Sequence, residues 1–148
     1  MNIYLDIDGV LLANEGYPAE HAPEFIKYVL THYPDSTYWL TTHCQGDASR
    51  PVRDIAGLFD NETIDFLKMI KPTIWLDSSN KTDAIDFTKP FLWFDDDLFI
   101  TERQALMEHK ALENWIEVDL RKDPDMLGKF LQSFPIPIQQ VTEYPLQG

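Results

Sequence analysis

"NIYLDIDGVLL", residues 2–12, ends a short apolar run in two aspartates one residue apart, followed by glycine. Ile3, Tyr4 and Leu5 are β-branched, aromatic and apolar in turn, which predicts a buried strand at the start of the domain. A buried carboxylate costs several kcal/mol unless it is paired or meets a cation. Asp6 and Asp8 are therefore expected at the mouth of that strand, facing something positive.

Strand and helix signals alternate from there onward. Pro23 marks a helix start, and Phe25, Ile26, Val29 and Leu30 form its apolar face. The run 36–42, "STYWLTT", predicts a second strand. Ser49 is read as the cap of a helix carrying Val52, Ile55 and Phe59, and Asn61 as the cap of one carrying Ile64, Leu67 and Ile70. Residues 73–76, "TIWL", predict a third strand, and Asn80 caps a short helix reaching Phe87. Residues 91–94, "FLWF", predict a fourth strand, Thr101 with Gln104 a capping box, and residues 114–120 a fifth strand. Asp123-Pro124 opens a last helix with Met126, Leu127, Phe130 and Leu131 inward, and the proline-punctuated stretch 135–148 reads as an extended tail on a single 1–134 domain. Five short apolar strands separated by helices imply a parallel α/β sheet covered on both faces, with ligands at the carboxyl ends of its strands.

The polar residues after each strand carry the chemistry. Asp6 and Asp8 follow the first strand, and Thr41 and Thr42 the second. Lys81 stands at a helix start beyond the third, and Asp95, Asp96 and Asp97 follow the fourth. Carboxylates gathered this closely must bind a cation or take up protons, and oxygen ligands favour Mg²⁺. The hydroxyl and the ammonium offer hydrogen bonds and charge to an anion, so the set makes a site for an anionic oxygen group beside a metal.

This order, D-x-D-G-V, then strand-Thr, then Lys, then strand-Asp-Asp, resembles the haloacid dehalogenase superfamily of aspartate-nucleophile phosphatases. The resemblance implies a Rossmann-like three-layer sandwich whose five-stranded parallel sheet has the order 5-4-1-2-3. No cap domain is expected, because the chain between Asp6 and Thr41 has room only for a flap and one helix. It further implies a Mg²⁺-dependent phosphohydrolase. In that scheme Asp6 attacks phosphorus, and Asp8 protonates the leaving group and then deprotonates water. Thr41 bonds the phosphoryl group and Lys81 offsets its charge. The metal falls to Asp6, the Asp8 carbonyl and Asp95, with Asp96 direct or through water. Thr42 competes with Thr41 for the phosphoryl contact, and His43, just beyond, is a candidate substrate contact.

Composition bounds the partners. Twelve basic against twenty-five acidic residues give a net charge of −13, which disfavours nucleic acid without excluding metal-assisted phosphate chemistry. A phosphorylated substrate is expected, and a site without a cap is open enough for a macromolecular one; a homo-oligomer could also close it. No apolar stretch is long enough for a membrane span, and the single cysteine, Cys44, points to a reducing cytoplasm. Two competing readings are a catalytically silent binding module on the same fold and a receiver-like phospho-signalling domain. The receiver places its lysine after the last acidic strand, whereas Lys81 precedes Asp95.

Overall fold

A computed structural model describes residues 1–76 and 80–133. The extended tail read from residues 135–148 lies outside the described residues. The first strand, β1 (Asn2–Leu5), alternates its side chains as a strand must: Ile3 and Leu5 enter one core and Tyr4 the other, all at most 2% exposed. A short hairpin bridged at Leu12 and Pro18 follows, then helix α1 (Ala22–His32), so only a flap and one helix separate β1 from β2 (Thr37–Trp39). After β2 come α2 (Ser49–Ile55) and α3 (Asn61–Leu67), a 3₁₀ turn at Lys81–Ala84, and β3 (Phe91–Asp95). Helix α4 (Ile100–Glu108), β4 (Trp115–Glu117) and α5 (Met126–Ser133) complete the described chain.

The sheet is parallel throughout, with four strands in the order β2-β1-β3-β4. The expected five strands in the order 5-4-1-2-3 are not what forms. Residues 73–76 make no strand; the chain beside β2 touches it through one parallel bridge, Lys71 to Tyr38. Pro72 accounts for this, because it has no N–H with which to continue the ladder. Thr73 then leaves the ladder: its hydroxyl donates to the Trp39 carbonyl, its own carbonyl accepts from Gly46, and Ile74 beyond it is exposed.

On one face of the sheet, α1 packs against α3 and α5. The predicted face of α1, Phe25, Ile26, Val29 and Leu30, is buried there, with Phe25 edge-to-face on Phe94 at 5.4 Å. Removing such a ring costs roughly 3–5 kcal/mol. On the other face Tyr4, Phe91 and Trp93 meet Leu106 of α4 and Ile85. The result is helix, sheet, helix.

Several boundaries differ from the sequence reading because side chains select the cap. Asp60, not Asn61, caps α3 by accepting from the Thr63 amide at 2.9 Å. The helix expected through Phe59 ends at Ile55 and tightens to a 3₁₀ turn, and the one expected from Asn80 to Phe87 is only the turn Lys81–Ala84. Helix α4 begins before the expected Thr101–Gln104 box: Glu102 reaches back to the Phe99 amide at 2.9 Å. No helix among the described residues is long and apolar enough to cross a membrane.

Candidate active site

Register decides which residues meet. Leu5 pairs with Trp39 on one side and with Phe94 on the other, so Asp6 and Asp95 leave adjacent strands at the same level, with Thr41 two residues beyond Trp39. One carboxylate oxygen from each of Asp6, Asp95 and Asp96 lies within 4.8 Å of the other two. The Lys81 ammonium reaches between them, 3.2 Å from Asp6 Oδ2 and 2.7 Å from Asp95 Oδ2. Three carboxylates against one ammonium leave the cluster short of positive charge.

Asp95 is not a rim residue: it is 2% exposed and accepts from four N–H groups. Oδ2 takes Lys81 and the Trp93 indole at 3.2 Å; Oδ1 takes the amides of Asp96 at 2.8 Å and Asp97 at 3.3 Å. These donors hold Asp95 in place, and a cation entering the cluster would share its carboxylate with Lys81. Asp95 is thus a candidate ligand beside Asp6 and Asp96, but from the interior of the sheet and not from its rim. Its position in the interior of the sheet gives it amide neighbours that a rim residue would lack. Burial, then the Asp6 charge, pushes the Asp95 carboxyl up to about 9 against the pull of Lys81. Asp96 is raised too, chiefly by desolvation. Burial would lower the Lys81 ammonium, but the Asp6 and Asp95 charges outweigh it and hold it above its ordinary value.

The donors that a cation would find are Asp6, which accepts one backbone amide besides Lys81, the Asp95 and Asp96 carboxylates, and the Asp8 carbonyl, to which no hydrogen bond is made among the described residues. An all-oxygen set with surplus negative charge fits a hard divalent ion such as Mg²⁺. The backbone reaches this arrangement through a turn in which the amides of Val10, Leu11 and Leu12 all point to the Ile7 carbonyl, with Gly9 at φ 80°.

Thr41 is fully buried, and its Oγ1 accepts the His43 amide at 3.3 Å; Thr42 beside it is exposed. The Asp8 side chain does not join the carboxylate cluster. Its Oδ2 meets His43 Nε2 at 2.8 Å, and His43 Nδ1 meets Asp54 Oδ2 at 2.8 Å, so neither ring nitrogen is free for a substrate. Burial works to lower the His43 pKa, but the bonds to Asp54 and Asp8 overcome it and hold the ring above its ordinary value.

Two site residues escape sequence reasoning. Glu102, 2% exposed, accepts the Lys81 amide at 2.8 Å on one oxygen and caps α4 with the other, tying the lysine to the helix. Its only sequence signal is an acid in the first turn of a helix. Asp54 carries no local signal at all. The chain matches no protein-family model, no curated protein and no solved structure.

Proposed function

We propose that the protein is a Mg²⁺-dependent phosphohydrolase of the haloacid dehalogenase type, acting through an aspartyl phosphate on Asp6. The observation that carries this reading is the meeting of Asp6, Asp95, Asp96 and Lys81 at the carboxyl ends of adjacent parallel strands, with the Thr41 hydroxyl one strand away. A carboxylate can approach a phosphate only where cations screen their repulsion. Asp6, Asp95, Asp96 and the Asp8 carbonyl would hold the metal, which supplies that screening when bound.

The remaining chemistry belongs to the chain. A substrate phosphoryl oxygen accepts from Thr41 and faces Lys81, while Asp95 fixes the lysine from beneath. An Asp6 oxygen attacks phosphorus as the bond to the leaving oxygen breaks, and Asp8 gives that oxygen its proton. The Asp8 carboxylate then takes a proton from water, whose attack on phosphorus releases inorganic phosphate and restores Asp6. The substrate is a phosphomonoester; the hairpin and single helix between β1 and β2 leave room for a macromolecular one, and the net charge of −13 argues against nucleic acid.

The test is Mg²⁺-dependent release of phosphate from an aryl phosphate, with mass spectrometry of the quenched enzyme. Phosphate should appear on Asp6, and both turnover and label should vanish in Asp6→Asn and in EDTA. Label on another residue, or turnover by Asp6→Asn, overturns the nucleophile. Binding of Mg²⁺ and phosphate with no turnover identifies a silent binding module instead.

A further inference from the structure

Asp8 is exposed, its side chain 72% accessible, and a carboxylate so placed ordinarily samples several rotamers. Here it is held. His43 grips Oδ2 at 2.8 Å and is itself gripped through its other ring nitrogen by Asp54, on α2, at 2.8 Å. The imidazole is thereby fixed through both of its ring nitrogens. The same loop presents Thr41, whose hydroxyl oxygen receives the His43 amide. One short segment thus sets both the phosphoryl-binding hydroxyl and the partner of Asp8. Oδ1 of Asp8 makes no hydrogen bond among the described residues and is left to carry a proton.

We propose that His43 and Asp54 are positioning residues that fix the Asp8 carboxylate for proton transfer to the leaving group. The inference rests on the phosphohydrolase reading and deepens it, assigning roles to two side chains that touch neither substrate nor metal. Proton transfer requires the acid within hydrogen-bond reach of the leaving oxygen, and a misplacement of about 1 Å can cost on the order of a hundredfold in rate. Ion pairs as accessible as these contribute little to stability, so their removal should leave the fold in place.

The experiment compares kcat/KM for an alkyl phosphate, whose leaving group needs a proton, with that for a nitro-substituted aryl phosphate, whose leaving group does not. In Asp54→Asn and in His43→Gln the alkyl substrate should lose roughly ten- to a hundredfold while the aryl substrate loses far less. Phosphate should also accumulate on Asp6 with the aryl substrate, because water is then activated slowly. Combining His43→Gln with Asp54→Asn should recover much of the alkyl rate. The glutamine amide can donate to Asp8 while its carbonyl accepts from the asparagine. Equal losses on both substrates would make the clamp merely structural, and faster alkyl turnover would mean that His43 holds Asp8 away from the leaving group; either result overturns the proposal. Wild-type protein inactive on both substrates with Mg²⁺ would instead overturn the phosphohydrolase reading, and this inference with it. Should His43→Gln fold poorly, Asp54→Asn on the exposed face of α2 decides alone.

Discussion

Gly9 and Asp96 are packed so closely that a β-carbon on residue 9 would overlap the Asp96 carboxylate and stand 2.8 Å from its Cβ. Gly9 also has φ 80°, a conformation that costs a side-chain-bearing residue about 1–2 kcal/mol. Gly9→Ala is therefore expected to lower thermal stability and to push Asp96 off its position, weakening Mg²⁺ binding. Calorimetric titration of Mg²⁺ into the variant is the check; wild-type affinity would show that Asp96 does not need this contact.

Asp95 and Asp96 should fail in different ways. Asp95→Asn sets an amide N–H₂ against donors whichever way it turns, Lys81 and Trp93 on one side or the Asp96 and Asp97 amides on the other, and should cost about 2–4 kcal/mol by denaturant unfolding. Asp96→Asn, at an exposed position, should change stability little yet weaken Mg²⁺ at least roughly tenfold. The reverse pattern, with Asp96→Asn the destabilising change, would refute this division.

The metal-free protein should become less stable as pH rises. Asp95 is raised to about 9, mainly by burial, and Asp96 is raised as well. Between about 4 and about 9 the native state then holds more protons than the unfolded chain, so the slope of stability against pH is negative. His43, held above its ordinary 6.5, acts in the same direction once pH rises past that value. The lowered carboxyls of Asp47, Asp60, Asp86 and Asp123 matter only as pH falls below their ordinary 3.8, outside the window. Mg²⁺ displaces the retained protons, so its affinity and the stability it adds should grow with pH, by at most about tenfold in affinity per unit for each proton released. Melting scans with and without Mg²⁺ across this range test the sign, and a metal-free midpoint that climbs with pH refutes it.

Glu102 should behave as a support for Lys81. Each of its oxygens accepts one amide, from Lys81 and from Phe99, and glutamine can satisfy only one. Glu102→Gln is expected to cost about 1–3 kcal/mol and to reduce phosphatase kcat, because the Lys81 backbone loses its tie to α4. An unchanged kcat in a folded, destabilised variant would separate the cap from the catalytic geometry.

The order of acids, hydroxyl and lysine along the chain, and the strands that precede most of them, were legible because a strand end is a local event. Three or four apolar residues followed by a polar one suffice to mark Asp6, Thr41 and Asp95, and the period of α1 marked its buried face. Pro72 was equally visible, yet whether residues 73–76 would pair beyond it depended on Thr73 finding partners in Trp39 and Gly46, contacts distant in sequence. The same limit governs the site. The sequence by itself determined which chemical groups the strand ends carry. Only tertiary structure decided their division of labour, because each carboxylate's role follows from the donors that reach it through space. Asp95 is held by Lys81, Trp93 and two amides, Asp96 packs against Gly9, and Asp8 is drawn aside to His43 and Asp54.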